Sequence, residues 1–167
     1  MDFLIRPVMV GDGPGINELR RMPGVFENIL GIPSERVKSN EDWIANLDEN
    51  THLLVAVTKD DDGEEIIIGC ISLDVSSRPR LRHSANIGMM VHKDYQSMGV
   101  GTKLMEAVLD IADNWLMLKR VWLSVFVDNE KAIGLYKKFG FVSEGTMKKS
   151  AIRSGEYVDE YMMARVK

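Results

Sequence analysis

Two periods of apolar and polar positions alternate along this chain. Alternating or continuous apolar stretches predict strands over Phe3 to Pro7, His52 to Thr58, Glu65 to Val75 and Ser84 to His92. Three more β-rich stretches run from Arg120 to Val127, Phe141 to Lys148 and Tyr157 to Val166. The clearest helical period spans Gly101 to Leu118, with Leu104, Val108, Ile111 and Trp115 on one face. Lys103, Glu106, Asp110 and Asp113 then fall on the wet side. Ile16 to Met22 reads as a shorter helix. Ser39-Asn40-Glu41-Asp42 is similar to a helix-capping sequence, followed by Trp43, Ile44 and Leu47 as the buried stripe. Asp128 or Asn129 is placed to cap a last helix that ends at Gly140. Residues 23 to 38 carry prolines and small breakers and predict an irregular segment. Lys59-Asp60-Asp61-Asp62-Gly63 predicts a hairpin turn. Trp43, Trp115 and Trp122 read as core.

Strands and helices interleave, and two hairpins sit among them. The expectation is an α/β fold of the α+β type around a mixed sheet, in a single domain over 1–167. Composition narrows the function. Of 167 residues, 45% are hydrophobic and 28% charged, and the net charge is −4, so the chain has no global field for holding nucleic acid. The longest aliphatic run, Ile66 to Ile68, is far short of a membrane span, and no membrane partner is expected. The N-terminus lacks a basic-then-apolar leader pattern, and Cys70 is the only cysteine. One cysteine forms no internal disulfide and no zinc cluster, which fits a reducing cytoplasm and predicts no metal. Cys70 lies in an apolar strand and reads as a buried structural thiol rather than an acetyl carrier.

The informative chemistry sits where the strand ending near Val91 meets the long helix. Gln96-Ser97-Met98-Gly99-Val100-Gly101-Thr102 places two glycines, one residue apart, at a helix start. First-turn amides have no partner inside a helix, and with the helix dipole they make a seat for phosphate. The plainer reading is a strand-to-helix turn. A dinucleotide fingerprint is incomplete, because Leu104 stands at its third glycine position, and a P-loop Gly-Lys-Ser/Thr is absent.

Gln96-x-x-Gly99-x-Gly101 resembles the pyrophosphate-binding loop of the GNAT family of N-acetyltransferases. Val91-His92-Lys93-Asp94-Tyr95 is similar to its lead-in. Some 28 residues beyond the loop, Asn129-x-x-Ala132-x-x-Leu135-Tyr136-x-Lys138-x-Gly140-Phe141 is similar to the family's second signature. Asp113-Asn114-Trp115-Leu116, Val125-Phe126-Val127-Asp128-Asn129 and Gly155-Glu156-Tyr157-Val158-Asp159 resemble a bacterial branch that acetylates free L-amino acids.

The resemblance implies a mostly antiparallel sheet splayed at an acetyl-CoA site, about four flanking helices, and transfer of acetyl from acetyl-CoA to the amine of a small molecule. Backbone amides from Gln96, Ser97, Met98, Gly99, Val100, Gly101 and Thr102 would hold the pyrophosphate. Met89, Met90 and Val91 would pair with the pantetheine arm, and an N–H of Met90 or Val91 would face the oxyanion. Tyr136 stands where the family commonly has its general acid, though a core-facing aromatic is the plainer reading. Asn129 would bond the pantetheine amides, cap a helix, or both.

The base is the open position. Many relatives carry a glutamate on the strand before the loop, where this chain has Asn86, and asparagine accepts no proton at neutral pH. Glu27, Asp74, His83 and a water held by Asn86 or a carbonyl are the candidates, with the water relay preferred. The acceptor pocket is expected from residues 24 to 36, including Phe26, Glu27 and Leu30, and from Tyr157 and Tyr161. One arginine of Arg78, Arg80 and Arg82 is expected to pair with an acceptor carboxylate. The last hairpin offers an edge for a homodimer. A non-catalytic acyl-CoA-binding module, or an acetyltransferase of protein N-termini or lysines, stands as the alternative.

Overall fold

The computed structural model, which describes residues 2–167, has seven strands and four α-helices. They run β1 (Leu4–Pro7), α1 (Gly13–Arg21), α2 (Val37–Ala45), β2 (Thr51–Lys59), β3 (Glu65–Val75), β4 (Ser84–Val91), α3 (Val100–Asp110), β5 (Arg120–Phe126), α4 (Glu130–Lys138), β6 (Val142–Arg153) and β7 (Glu156–Val166). All strands join one sheet in the order β1-β2-β3-β4-β5-β7-β6. Every neighbouring pair is antiparallel except β4 and β5, which run parallel.

Each face of the sheet buries a separate core. Ala85, Ile87, Leu123 and Val125 pack with Leu104, Met105 and Val108 of α3 and with Tyr136 and Phe141. On the other face Leu53, Val55, Cys70 and Met90 pack with Ile16, Leu19, Val25 and Ile44. Side chains alternate across a strand, so β4 feeds both cores in turn: Ile87 to one and Met90 to the other. Burying a leucine or isoleucine contributes about 1.5–3 kcal/mol, so these two layers supply most of the fold's stability. The turn after β2 is built as its sequence suggests. Asp60 Oδ1 accepts from the N–H groups of Asp62 at 3.0 Å and Glu64 at 2.9 Å, and Gly63 takes a left-handed φ of +84°.

Three local expectations are corrected. Helix α2 begins at Val37, without a side-chain cap, rather than at the Ser39–Asp42 sequence. Asn40 is buried instead, and its Nδ2 donates back to the Arg36 carbonyl at 3.3 Å. Trp43 stands 39% exposed. The α3 period breaks after Asp110, where a π-helical turn over Ile111–Trp115 adds a residue per turn, with Leu116 N–H donating to Ile111 O at 3.0 Å. The extra residue rotates Trp115 out of the core to 78% exposure. It also turns Asp113 in from the predicted wet side, where Arg165 holds it through two 2.8 Å bonds and Lys167 at 2.7 Å.

The predicted edge is β6. Register shifts between Ser143 and Gly145 and between Met147 and Ala151 interrupt its pairing with β7. Bulges and lysines such as Lys148 and Lys149 blunt such an edge toward other strands.

Candidate active site

Strands β4 and β5 touch only at their starts. The parallel register covers Ser84 with Arg120, Ala85 with Val121 and Asn86 with Trp122, and then the strands part. From Ile87 to Val91 the β5-facing edge of β4 has no strand partner. The other edge remains paired with β3, from Val91 opposite Gly69 to Ala85 opposite Val75. His92 N–H donates to Ile68 O at 2.9 Å, and Ser84 O accepts from Ser76 N–H at 3.0 Å. Backbone direction alternates along a strand, so Met90 also turns its N–H and C=O to β3. The groups of Ile87, Met89 and Val91 face the gap. Met90 thereby drops out as an oxyanion donor, and Val91 is the one of the two whose N–H is open.

The loop after β4 closes the mouth of this gap. Gln96 Nε2 donates to Val91 O at 3.2 Å, pinning the loop to the strand end. Ser97 and Gly99 both have left-handed φ, +63° and +91°. Gly99 is the residue before α3, and Lys103 N–H donates to its carbonyl at 3.0 Å. A Cβ on Gly101 would lie 3.1 Å from Leu135 Cδ2, so this glycine lets α3 approach α4 closely. The first-turn N–H groups of Val100, Gly101 and Thr102 are left without helical partners.

Helix α4 enters from behind β5. Asn129 caps it, accepting from Ala132 N–H at 3.2 Å. About two turns later Tyr136 is buried at 6% exposure, with the Phe141 ring 6.0 Å away. Burial alone pushes the Tyr136 phenol up to about 12. Burial likewise pushes the Cys70 thiol up to about 12, which fits a structural thiol. Both groups are neutral in the folded chain at pH values where the unfolded chain has lost their protons. Their stabilisation is complete below their ordinary values of 9.0 for Cys70 and 10.0 for Tyr136. It is lost as the pH rises toward about 12. Denaturant unfolding at stepped alkaline pH should show stability falling by up to about 1.4 kcal/mol per pH unit for each group. In a Cys70→Ala variant the fall should begin later.

On the α1–α2 face of the sheet, β5 and its neighbours carry a polar cluster. Ser124 is exposed on β5 and donates through Oγ to Glu160 Oε1 at 2.9 Å. Ser150 Oγ donates to Glu160 Oε2 at 2.7 Å, and Glu160 itself is 6% exposed. At the hairpin tip, Arg153 pairs with Asp128 and lies 5.0 Å over the Phe126 ring, with the Glu27 charge close enough to act on it. Segment 24–36, the loop after β5 and the β6–β7 tip thus meet here.

Several predicted residues stand elsewhere. Arg80, Arg82 and His83 are exposed in the turn that leads into Ser84. That is the paired end of β4, roughly 20 Å along the strand from Met89 at ~3.3 Å per residue. Neither a carboxylate-binding arginine nor a base is placed there. Asn86 is half-buried on the last shared rung and donates from Nδ2 to Trp122 O at 3.3 Å. Asp74, opposite Asn86, accepts from Thr51 and Ser72 hydroxyls at 3.0 and 2.9 Å. Phe26 and Glu27 are half-buried in a short 3-10 turn, and Glu27 accepts from Gly24 N–H at 2.7 Å. Leu30 is 72% exposed. Tyr157 shares a strand face with Tyr161, which packs against the α3-side core, so both point away from the α1–α2 face. Sequence reasoning missed Glu160, Ser124 and Arg153. The signal for Glu160 was present: it is the lone charge among Val158, Met162 and Ala164 on one strand face.

A separate groove of about 520 Å³ lies between α1 and the β4–α3 loop, lined by residues such as Arg21, Met22 and His92, with none from β5 to β7. Among the described residues no cluster of three or more His, Cys, Asp or Glu is placed to hold a metal. No helix there is long and apolar enough to cross a membrane.

A splayed parallel pair beside a glycine-gated helix start is what the family signature in the sequence leads one to expect. The family model described as Acetyltransferase (GNAT) family matches residues 20–141. The chain belongs to the GNAT family. It is an N-acetyltransferase, in a family that draws acetyl from acetyl-CoA. The L-amino acid N-acetyltransferase AaaT of Escherichia coli is 38% identical over 166 residues, 99% of either chain. A spermidine N(1)-acetyltransferase of Vibrio cholerae is 29% identical over 59% of this chain and 56% of its own. Among solved GNAT folds, spermidine N-acetyltransferase from Vibrio cholerae, in complex with CoA and spermine, superposes with a TM-score of 0.83. That match has 24% identity and covers 98% of this chain and 95% of the other.

Proposed function

We propose that this GNAT enzyme acetylates the α-amine of a free L-amino acid by direct attack on acetyl-CoA through a tetrahedral intermediate. The observation that carries the acceptor class is the full-length likeness to an L-amino acid N-acetyltransferase. The open β4 edge supports the mechanism. Pantetheine is strand-like, and the N–H and C=O groups of Met89 and Val91 facing the gap suit its amides. Asn129, at the far lip, suits the same arm. The loop from Gln96 to Thr102 suits the pyrophosphate through backbone amides alone.

The thioester then lies between Val91 and Tyr136. Val91 N–H stabilises the oxyanion as the amine adds. Tyr136 donates its hydrogen bond to sulfur as the C–S bond breaks. Arg153, on the Phe126 ring, receives the acceptor carboxylate in place of Arg80 or Arg82. Its present partner Asp128 is largely exposed, and such a surface pair gives way at small cost. The enzyme is proposed to act in the cytoplasm.

The test follows thiol release from acetyl-CoA with amino acids, polyamines, aminoglycosides and short peptides as acceptors. Turnover with amino acids supports the reading, and turnover confined to polyamines or peptides overturns it. Arg153→Met is expected to raise KM for the amino acid about tenfold to hundredfold, because a charged hydrogen bond contributes ~1.5–3 kcal/mol. KM for acetyl-CoA and for an amine lacking a carboxylate should not move.

A further inference from the structure

The family's usual acidic position on β4 holds Asn86, which accepts no proton, and Asp74 lies on β3, on the side of β4 away from the gap. A different carboxylate lies behind β5, joined to the gap side of that strand by a hydroxyl. Extending the parallel register past Asn86 and Trp122 sets Gly88 level with Ser124 and Met90 level with Phe126. Phe126 pairs with Glu160 across β7. Glu160 therefore lies on β7, one strand behind the β5 lip of the gap, at about the level of Met90 and on the face that Ser124 and Phe126 share. It is buried, takes hydrogen bonds from Ser124 and Ser150, and forms no salt bridge with a cation among the described residues. A buried carboxylate without a counter-charge is costly, and a fold keeps one only where something offsets it.

Resting on the acetyl-transfer reading above, we infer that Ser124 and Glu160 form the proton relay for the acceptor ammonium. Ser124 is exposed, whereas Glu160 is covered. The ammonium donates to Ser124 Oγ, whose own hydrogen already points at Glu160 Oε1. One ammonium proton passes through the hydroxyl to the carboxylate and later to solvent. The freed nitrogen lone pair forms the C–N bond to the thioester carbon. The C–S bond breaks and leaves its electron pair on sulfur. Of the two protons still on nitrogen, one remains as the amide N–H and the other balances the proton taken up by the CoA thiolate. Ser150 holds the second carboxylate oxygen and is a positioning residue.

The test compares wild type with Glu160→Gln, Ser124→Ala and the double variant in the thiol-release assay. Two acceptors are used: the best ammonium acceptor of the wild type, and hydroxylamine, which is neutral at assay pH. Each single variant should lose about a hundredfold in kcat/KM with the ammonium acceptor, within the range for general acid–base groups. The double variant should lose no more, because the two act as one unit. With hydroxylamine the loss should be under about tenfold, since no proton need leave before attack. CoA affinity should hold, and thermal stability of Glu160→Gln should hold or rise once the buried charge is gone. Equal losses with both acceptors, additive losses in the double variant, or full activity in Glu160→Gln would each overturn the relay. If wild type turns over no amine, the acetyl-transfer reading itself falls, and that result is distinct from any of these.

Discussion

Tyr136→Phe is expected to lower kcat about a hundredfold while CoA affinity stays where it was, an effect of the size general acids produce. The variant removes one oxygen and keeps the ring, so the α3-side core that buries Tyr136 stays filled. Burial makes this phenol, at about 12, a weaker acid than an ordinary thiol near ~8.5. It therefore does not hand its proton over ahead of bond cleavage. In the proposed mechanism it solvates sulfur charge as that charge grows, and protonation completes as the thiolate departs. A second result follows: the rate should show no decline from tyrosine ionisation below about pH 11, one unit short of its pKa. Single-turnover thiol release and equilibrium CoA binding measure the two halves. A variant that turns over at the wild-type rate would remove Tyr136 from the chemistry.

Phe141→Ala should cost about 3–5 kcal/mol, the range for deleting a buried aromatic ring. Phe141 is the largest of the fully buried side chains, at 1% exposure. It sits where the chain leaves α4 through Gly140, whose φ of +84° turns the backbone sharply toward β6. Against a total of ~5–15 kcal/mol, the loss is a large fraction. The urea midpoint should fall with an unchanged slope. The same cavity removes the ring that backs Tyr136 at 6.0 Å, so kcat should fall further than CoA affinity. An unchanged midpoint would show that the core closes over the gap.

Backbone-borne features of this enzyme were legible because single residues demand them. The helix start after the glycine pair was readable from the pair itself, and Asn129 as a cap because a helix start needs an acceptor; the left-handed φ of Gly99 and the contact of Gly101 with Leu135 came from the fold. Side chains that meet only through the sheet were not. The arginines of the Arg78–Arg82 turn were assigned to the acceptor because nothing local says which end of β4 opens. Arg153 and Glu160 come beside β5 and the loop after it only because β7 pairs with β5 and carries β6 along. The apolar period through Ile111, Ala112 and Trp115 conceals the π-turn, since an added residue per turn leaves the sequence pattern nearly intact. Asp113 was placed on the wrong side for the same reason.

The three-rung join between β4 and β5 has a mechanical consequence. The sheet is in effect two blades, one of four strands and one of three, riveted at one end and open at the other. A strand-like cosubstrate laid in the opening supplies the missing row of hydrogen bonds and ties the blades together. Cosubstrate concentration then becomes a term in the stability of the enzyme, adding about 2.7 kcal/mol at a hundredfold excess over Kd. A cell rich in acetyl-CoA would carry a stiffer, longer-lived enzyme than a starved one, so the supply that sets the rate would also set how much catalyst survives.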